Sequence, residues 1–150
     1  HMSLSRWLPA EAIRLNVEVT DWRDAITKAG EALVDTGVTD EQYTTEMIEA
    51  VEKLGPYIVL APGLALAHAR PSPAVNRAGL SWVTLDTAVE FGSKENDPVD
   101  LVIGLAALDS DGHIEMMTAL AGVISDPDVL AELRAAKKAE EVTAVLDGLT

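Results

Sequence analysis

The stretch Val99 to Leu108 reads Val-Asp-Leu-Val-Ile-Gly-Leu-Ala-Ala-Leu and is almost wholly apolar. A strand with one wet face alternates apolar and polar side chains, whereas a strand covered on both faces reads as a continuous apolar run. The segment is of the second kind. It therefore predicts a central strand with a layer of structure on each side.

The flanking sequence supplies those layers. Ile13-Arg14-Leu15-Asn16-Val17-Glu18-Val19 alternates as a half-buried strand does. Thr20 or Asp21 can cap a helix to about Val34, with Trp22, Ile26, Ala29 and Leu33 on one face, and Gly37 ends it. Thr39 and Gln42 have capping-box spacing for a second helix, whose apolar face is Tyr43, Met47, Val51 and Leu54. Gly55-Pro56 stops it. Tyr57 to Leu60, Leu64 to Arg70 and Leu80 to Phe91 read as further strands. A helix from about His113 to Ile124 follows the central strand, Asp126-Pro127 opens another, and Ala139 to Leu149 is a last amphipathic one. The expected class is α/β: a mixed, mostly buried sheet of about five strands sandwiched between helices, with at least one crossover connection. His1-Met2 reads as an expression scar and residues 3–150 as one domain.

Composition narrows the function. A formal net charge of −14 repels a phosphate backbone and an anionic membrane surface, so no nucleic acid partner is expected. It suits a basic protein partner. There is no cysteine, hence no disulfide and no thiolate metal site, which fits a cytoplasmic protein. The longest uncharged run, Leu54 to Ala69, is too short and too broken by Pro56 and Pro62 to span a bilayer; no signal peptide is recognised. Neither a P-loop nor a GxGxxG motif occurs.

Chemistry then falls to imidazole. His68 ends Leu64-Ala65-Leu66-Ala67-His68, and Arg70 follows two residues on. On a strand to residue 70, Leu64, Leu66, His68 and Arg70 share one face and Ala65, Ala67 and Ala69 the other. An imidazole beside a guanidinium suits a phosphoryl group: the guanidinium holds oxygens while a ring nitrogen attacks phosphorus, and the positive neighbour favours the neutral ring. A structural histidine at a strand end is the alternative. His113 sits near a helix start, with Asp111 or Gly112 as expected cap, where backbone N–H groups can receive phosphate and the ring can donate to it. Asp109-Ser110-Asp111-Gly112 hints at calcium. In EF-hand register, however, Ala107 and Thr118 occupy positions that require carboxylates. Zinc on His68, His113 and a nearby Asp lacks specific spacing, so no metal is expected.

The block Gly55-Pro56-Tyr57-Ile58-Val59-Leu60-Ala61-Pro62-Gly63-Leu64-Ala65-Leu66-Ala67-His68-Ala69-Arg70-Pro71 resembles the enzyme IIA components of the phosphoenolpyruvate-dependent sugar phosphotransferase system. The likeness is to the ascorbate branch of the mannitol/fructose class. It continues through Val83-Thr84-Leu85, Val89-Glu90-Phe91, Asn96-Asp97-Pro98-Val99-Asp100 and the turn Asp109 to His113. The resemblance implies the mannitol-type fold and a phosphocarrier needing no cofactor. His68 would take a phosphoryl group from phospho-HPr and pass it to a cysteine of enzyme IIB, with His113 stabilising the group. A membrane enzyme IIC would be served indirectly, for uptake of ascorbate or a related carbohydrate. Ala67 departs from the family's usual proline before the histidine, and Glu52-Lys53 stand where mannitol-type relatives carry an arginine; Arg70 is expected to supply that charge.

Two other readings share these residues. One is a regulatory enzyme IIA-like protein whose His68 phosphorylation controls partner binding; the other is a small-anion binding domain using His68 and Arg70. For a docked HPr, the expectation is an acidic rim around an apolar centre of Leu64, Leu66 and Met116 or Met117. A homodimer is also plausible for so apolar a domain.

Overall fold

A computed structural model describes residues 4–149, so the leading His1-Met2 lies outside the described residues. Short 3-10 turns at Leu4–Arg6 and Ala10–Ala12 lead into β1 (Ile13–Val17). There follow α1 (Trp22–Asp35), α2 (Glu41–Leu54), β2 (Val59–Ala61), β3 (Leu64–Ala67), β4 (Gly79–Val89) and β5 (Val99–Ala106). The chain closes with α3 (Ser110–Ile124), α4 (Pro127–Ala135) and α5 (Ala139–Asp147).

The strands form one sheet in the order β1-β4-β5-β3-β2, so the apolar β5 is its middle strand. β5 runs antiparallel to β4 and parallel to β3, and the outer pairs are β1 parallel to β4 and β2 antiparallel to β3. Side chains alternate across the sheet as the pleat requires. Leu64, Leu66, Leu101, Ile103 and Leu105 pack with Met116, Leu120, Leu133 and Leu146 of α3, α4 and α5. Ala65, Ala67, Val83 and Val102 pack on the other face with Ile26, Leu33, Tyr43 and Met47 of α1 and α2. Asp100, the one charge in the run, lies near its start and meets Arg134 Nε at 3.1 Å.

Small residues bring the layers close. A Cβ at Gly104 would collide with Ser81 Oγ, the hydroxyl that donates to the Ala29 carbonyl at 2.9 Å and ties α1 to the sheet. A Cβ at Gly30 would run into the Thr44 side chain, so this glycine sets the approach of α1 to α2.

Four local expectations are corrected. The strand at Leu64 stops at Ala67 rather than Arg70, and β1 stops at Val17, where Asn16 takes a positive φ of 56°. α2 is capped by Asp40, whose carboxylate accepts from the Gln42 N–H at 2.9 Å; Thr39 is buried, in a bridge to Val75. α3 begins earlier, capped by Asp109 rather than Asp111 or Gly112.

Candidate active site

His68 is the first residue past the end of β3, the strand next to the middle strand β5. Its Nδ1 lies 2.7 Å from the Leu66 carbonyl oxygen. A carbonyl can only accept, so Nδ1 carries the proton and Nε2 keeps its lone pair. Burial pushes the ring's pKa below the ordinary 6.5; the Leu66 bond pulls the other way, and the neighbouring His113, the smallest of the three influences, pushes down again. The result is a neutral imidazole with one unengaged nitrogen, the form a nucleophilic histidine needs.

His113 reaches the same place from α3. The two imidazole centroids are 5.4 Å apart, tilted by 46°. Tyr57 closes the other side, its ring edge-on to His68 at 5.6 Å and 78°. These three rings, with Leu54, Arg70, Asp109 and Ile114, line an open cleft of about 890 Å³ between the end of α2 and the start of α3. Arg70 is exposed, and among the described residues its guanidinium makes no hydrogen bond or ion pair; its field is felt by Tyr57, where it partly offsets burial's upward push on the phenol pKa.

The sequence therefore named the three polar groups that converge, His68, His113 and Arg70, although the strand expected to align His68 with Arg70 ends before both. Two supporting details differ. The neutral His68 ring owes its state to burial and His113, not to Arg70. The start of α3 is already occupied by an anion: the Asp109 carboxylate accepts from the Gly112 N–H at 2.7 Å, and the His113 N–H bonds the Asp109 carbonyl. An incoming phosphoryl group would thus meet the His113 side chain, not the amides at the helix end.

The apolar centre expected for a docking surface is corrected too. Leu64, Leu66 and Met116 are fully buried, and Met117 packs against the core. The exposed apolar side chains around His68 are Leu54 (70%), Tyr57 (42%) and Ile114 (61%), with Leu108 (58%) at the end of the segment that leads from β5 into α3. Leu54 was read as part of a helix's buried face, and nothing in its spacing marks it as exposed; it is the last residue of α2, past the cover of the sheet. The rim is mixed in sign: Asp109 on one side, and Arg70, with Lys53 in the adjoining groove, on the other. Among the described residues no cluster of three or more His, Asp or Glu side chains is placed to hold a metal, and no helix is long and apolar enough to cross a membrane.

The site is thus a half-buried histidine just past a strand end, facing a second histidine, with exposed apolar side chains around it. Residues 6–148 match the family described as phosphoenolpyruvate-dependent sugar phosphotransferase system, EIIA 2, and the chain belongs to that family. An ascorbate-specific PTS system EIIA component of Shigella boydii is 38% identical over 138 residues, 91% of this chain and 90% of that protein. The solution structure of the mannitol-specific cryptic phosphotransferase enzyme IIA CmtB from Escherichia coli superposes with a TM-score of 0.88 at 31% identity, covering 98% of this chain and 99% of that one. Enzyme IIA of the mannitol system, solved in complex with phosphorylated enzyme IIB from Escherichia coli, gives 0.81 at 31% identity over 93% and 96% of the two chains. The fold is thus the mannitol-type enzyme IIA fold, and the chain is an EIIA component of a phosphotransferase system.

Proposed function

We propose that this protein is a cytoplasmic phosphocarrier that takes a phosphoryl group from phospho-HPr on His68 and delivers it to a cysteine of a separate enzyme IIB. The observation that carries the reading is the Nδ1 bond of His68 to the Leu66 carbonyl, which leaves Nε2 as the one free nitrogen of a neutral ring lining the cleft. In the first step the Nε2 lone pair forms the bond to phosphorus while the donor's bond to phosphorus breaks, its electron pair leaving with the donor. In the second, a thiolate of enzyme IIB attacks phosphorus and the P–Nε2 electron pair returns to the ring. His113 and Arg70 hold the phosphoryl oxygens in both steps, the latter as a fork of donors with no competing partner among the described residues. Leu54, Tyr57 and Ile114 give successive partners a shared apolar contact around the reacting atom.

The likeness to ascorbate-specific EIIA components supports ascorbate or a related carbohydrate as the cargo of the membrane enzyme IIC served downstream. The complex of a structural relative with phosphorylated enzyme IIB supports enzyme IIB as the acceptor.

The test is phosphoryl transfer from phosphoenolpyruvate through enzyme I and HPr, read by intact mass and phosphorus NMR. The wild type should gain one phosphoryl group, His68→Ala none, and Arg70→Ala should load about tenfold or more slowly. No adduct on the wild type, with the helper proteins active on another acceptor, would move the protein to the anion-binding or regulatory reading.

A further inference from the structure

Tyr43 sits in the first turn of α2, fully buried, 25 residues before His68. Its hydroxyl oxygen accepts from the Ala69 N–H at 3.0 Å and lies 2.8 Å from the Leu105 carbonyl, to which it donates; the Ala69 carbonyl is a second acceptor at 3.1 Å. Burial pushes the phenol's pKa up to about 12, so the proton stays on.

The position of that hydroxyl within the ladder is informative. In a parallel pair, alternate residues of a strand turn both backbone groups to one neighbour. The Gly63 carbonyl accepts from the Leu101 N–H of β5, and the Leu66 N–H turns the other way, to the Ile58 carbonyl. Odd-numbered residues of β3 therefore face β5, and Ala67 pairs with Gly104. One rung further, the Ala69 N–H would meet the Leu105 carbonyl directly. The Tyr43 hydroxyl stands between these two groups instead, linking each to itself. It ends the direct ladder at Ala67 while keeping both groups satisfied, and His68 lies in the opened interval. The loop beyond is tacked to the same helix region: Ser72 Oγ donates to Glu46 at 2.7 Å, and the Asp40 N–H donates to the Ala74 carbonyl at 2.9 Å.

We propose that Tyr43 is a positioning residue for the phosphoryl-accepting histidine: by substituting its hydroxyl for the Ala69–Leu105 rung, it lifts His68 out of the sheet and holds the backbone turn in which Nδ1 reaches the Leu66 carbonyl. Without the hydroxyl, β3 and β5 either zip one rung further or part, and either way the His68 ring loses its fixed orientation. This rests on the phosphocarrier reading for its kinetic consequence, but its direct readouts, the His68 ring nitrogens and the Ala69 amide, need no phosphoryl donor.

The experiment compares the wild type with Tyr43→Phe, using nitrogen-15 NMR of the His68 ring, hydrogen exchange at Ala69, and single-turnover transfer from phospho-HPr. The wild type should show a dominant Nδ1–H tautomer and an Ala69 amide far slower to exchange than Arg70. In Tyr43→Phe the tautomer preference and Ala69 protection should fall, and kcat should drop about 10- to 100-fold with KM for the donor unchanged, because the docking patch is intact. A folded Tyr43→Phe with the wild-type tautomer and kcat overturns the proposal, as does a wild-type Ala69 amide that exchanges as fast as Arg70. If Tyr43→Phe fails to fold, 3-fluorotyrosine at this position keeps the ring packing but weakens the oxygen as an acceptor. Faster Ala69 exchange then supports the proposal, and unchanged exchange overturns it. A wild type that takes no phosphoryl group, yet shows the NMR changes on substitution, defeats the phosphocarrier reading and leaves the positioning role standing.

Discussion

At the scale of the residue, the ionisation of His68 decides when the site can work. Its folded pKa lies below 6.5, chiefly through burial, so the ring remains neutral to lower pH than a free histidine. In a proton titration followed by NMR, the His68 ring signal should therefore reach its midpoint below 6.5, and loading from phospho-HPr should persist through mildly acidic pH. The sign for stability follows from linkage. Below the ordinary pKa the unfolded chain binds a proton that the folded ring resists, so the group costs nothing above that value and destabilises as pH falls beneath it. His113→Gln removes the smaller of the two downward pushes and should move the midpoint upward. A midpoint at or above 6.5 in the wild type would contradict the half-buried, neutral ring.

At the scale of the element, the contact of α1 with α2 rests on Gly30, whose added Cβ would meet Thr44. Gly30→Ala should cost about 1–3 kcal/mol by urea unfolding, despite alanine's better helix propensity, and Thr44→Ala in the same chain should recover most of it. A Gly30→Ala protein as stable as the wild type would mean the helices separate without penalty. This scale also shows what the sequence could disclose. β5 was legible because apolarity on both faces is written into consecutive residues, and α1 because Trp22, Ile26, Ala29 and Leu33 recur at helical spacing. The end of β3 was not legible, since what interrupts it is a hydroxyl from another element, at Tyr43. The apolar centre expected beside His68 was misplaced for a related reason: Leu64 and Leu66 look available there, but the pleat turns them beneath α3, α4 and α5. Both histidines were recognisable by their chemistry, whereas their meeting at 5.4 Å depends on how β5 hands the chain to α3.

For the molecule as a whole, a net charge of −14 favours a basic partner, while beside the cleft Arg70 and Lys53 stand among Glu46 and Glu49. Encounter with a basic partner should slow as salt is raised, while the apolar contact at the centre should not respond. Ile114→Asp changes an exposed side chain and should leave the unfolding midpoint near wild type, yet raise KM for phospho-HPr about tenfold or more. Equal KM values would place docking elsewhere on the surface. The Leu66 carbonyl has one further consequence, which concerns stored free energy. On the proposed phosphocarrier reading, a ring carrying phosphorus on Nε2 would take on positive charge, and among the described residues its partner at Nδ1 is a neutral amide oxygen. A carboxylate there would stabilise that charge and hold the cargo more firmly. A carbonyl orients the ring without deepening the well, so a phosphoryl group held there would keep its group-transfer potential high and available to the next acceptor.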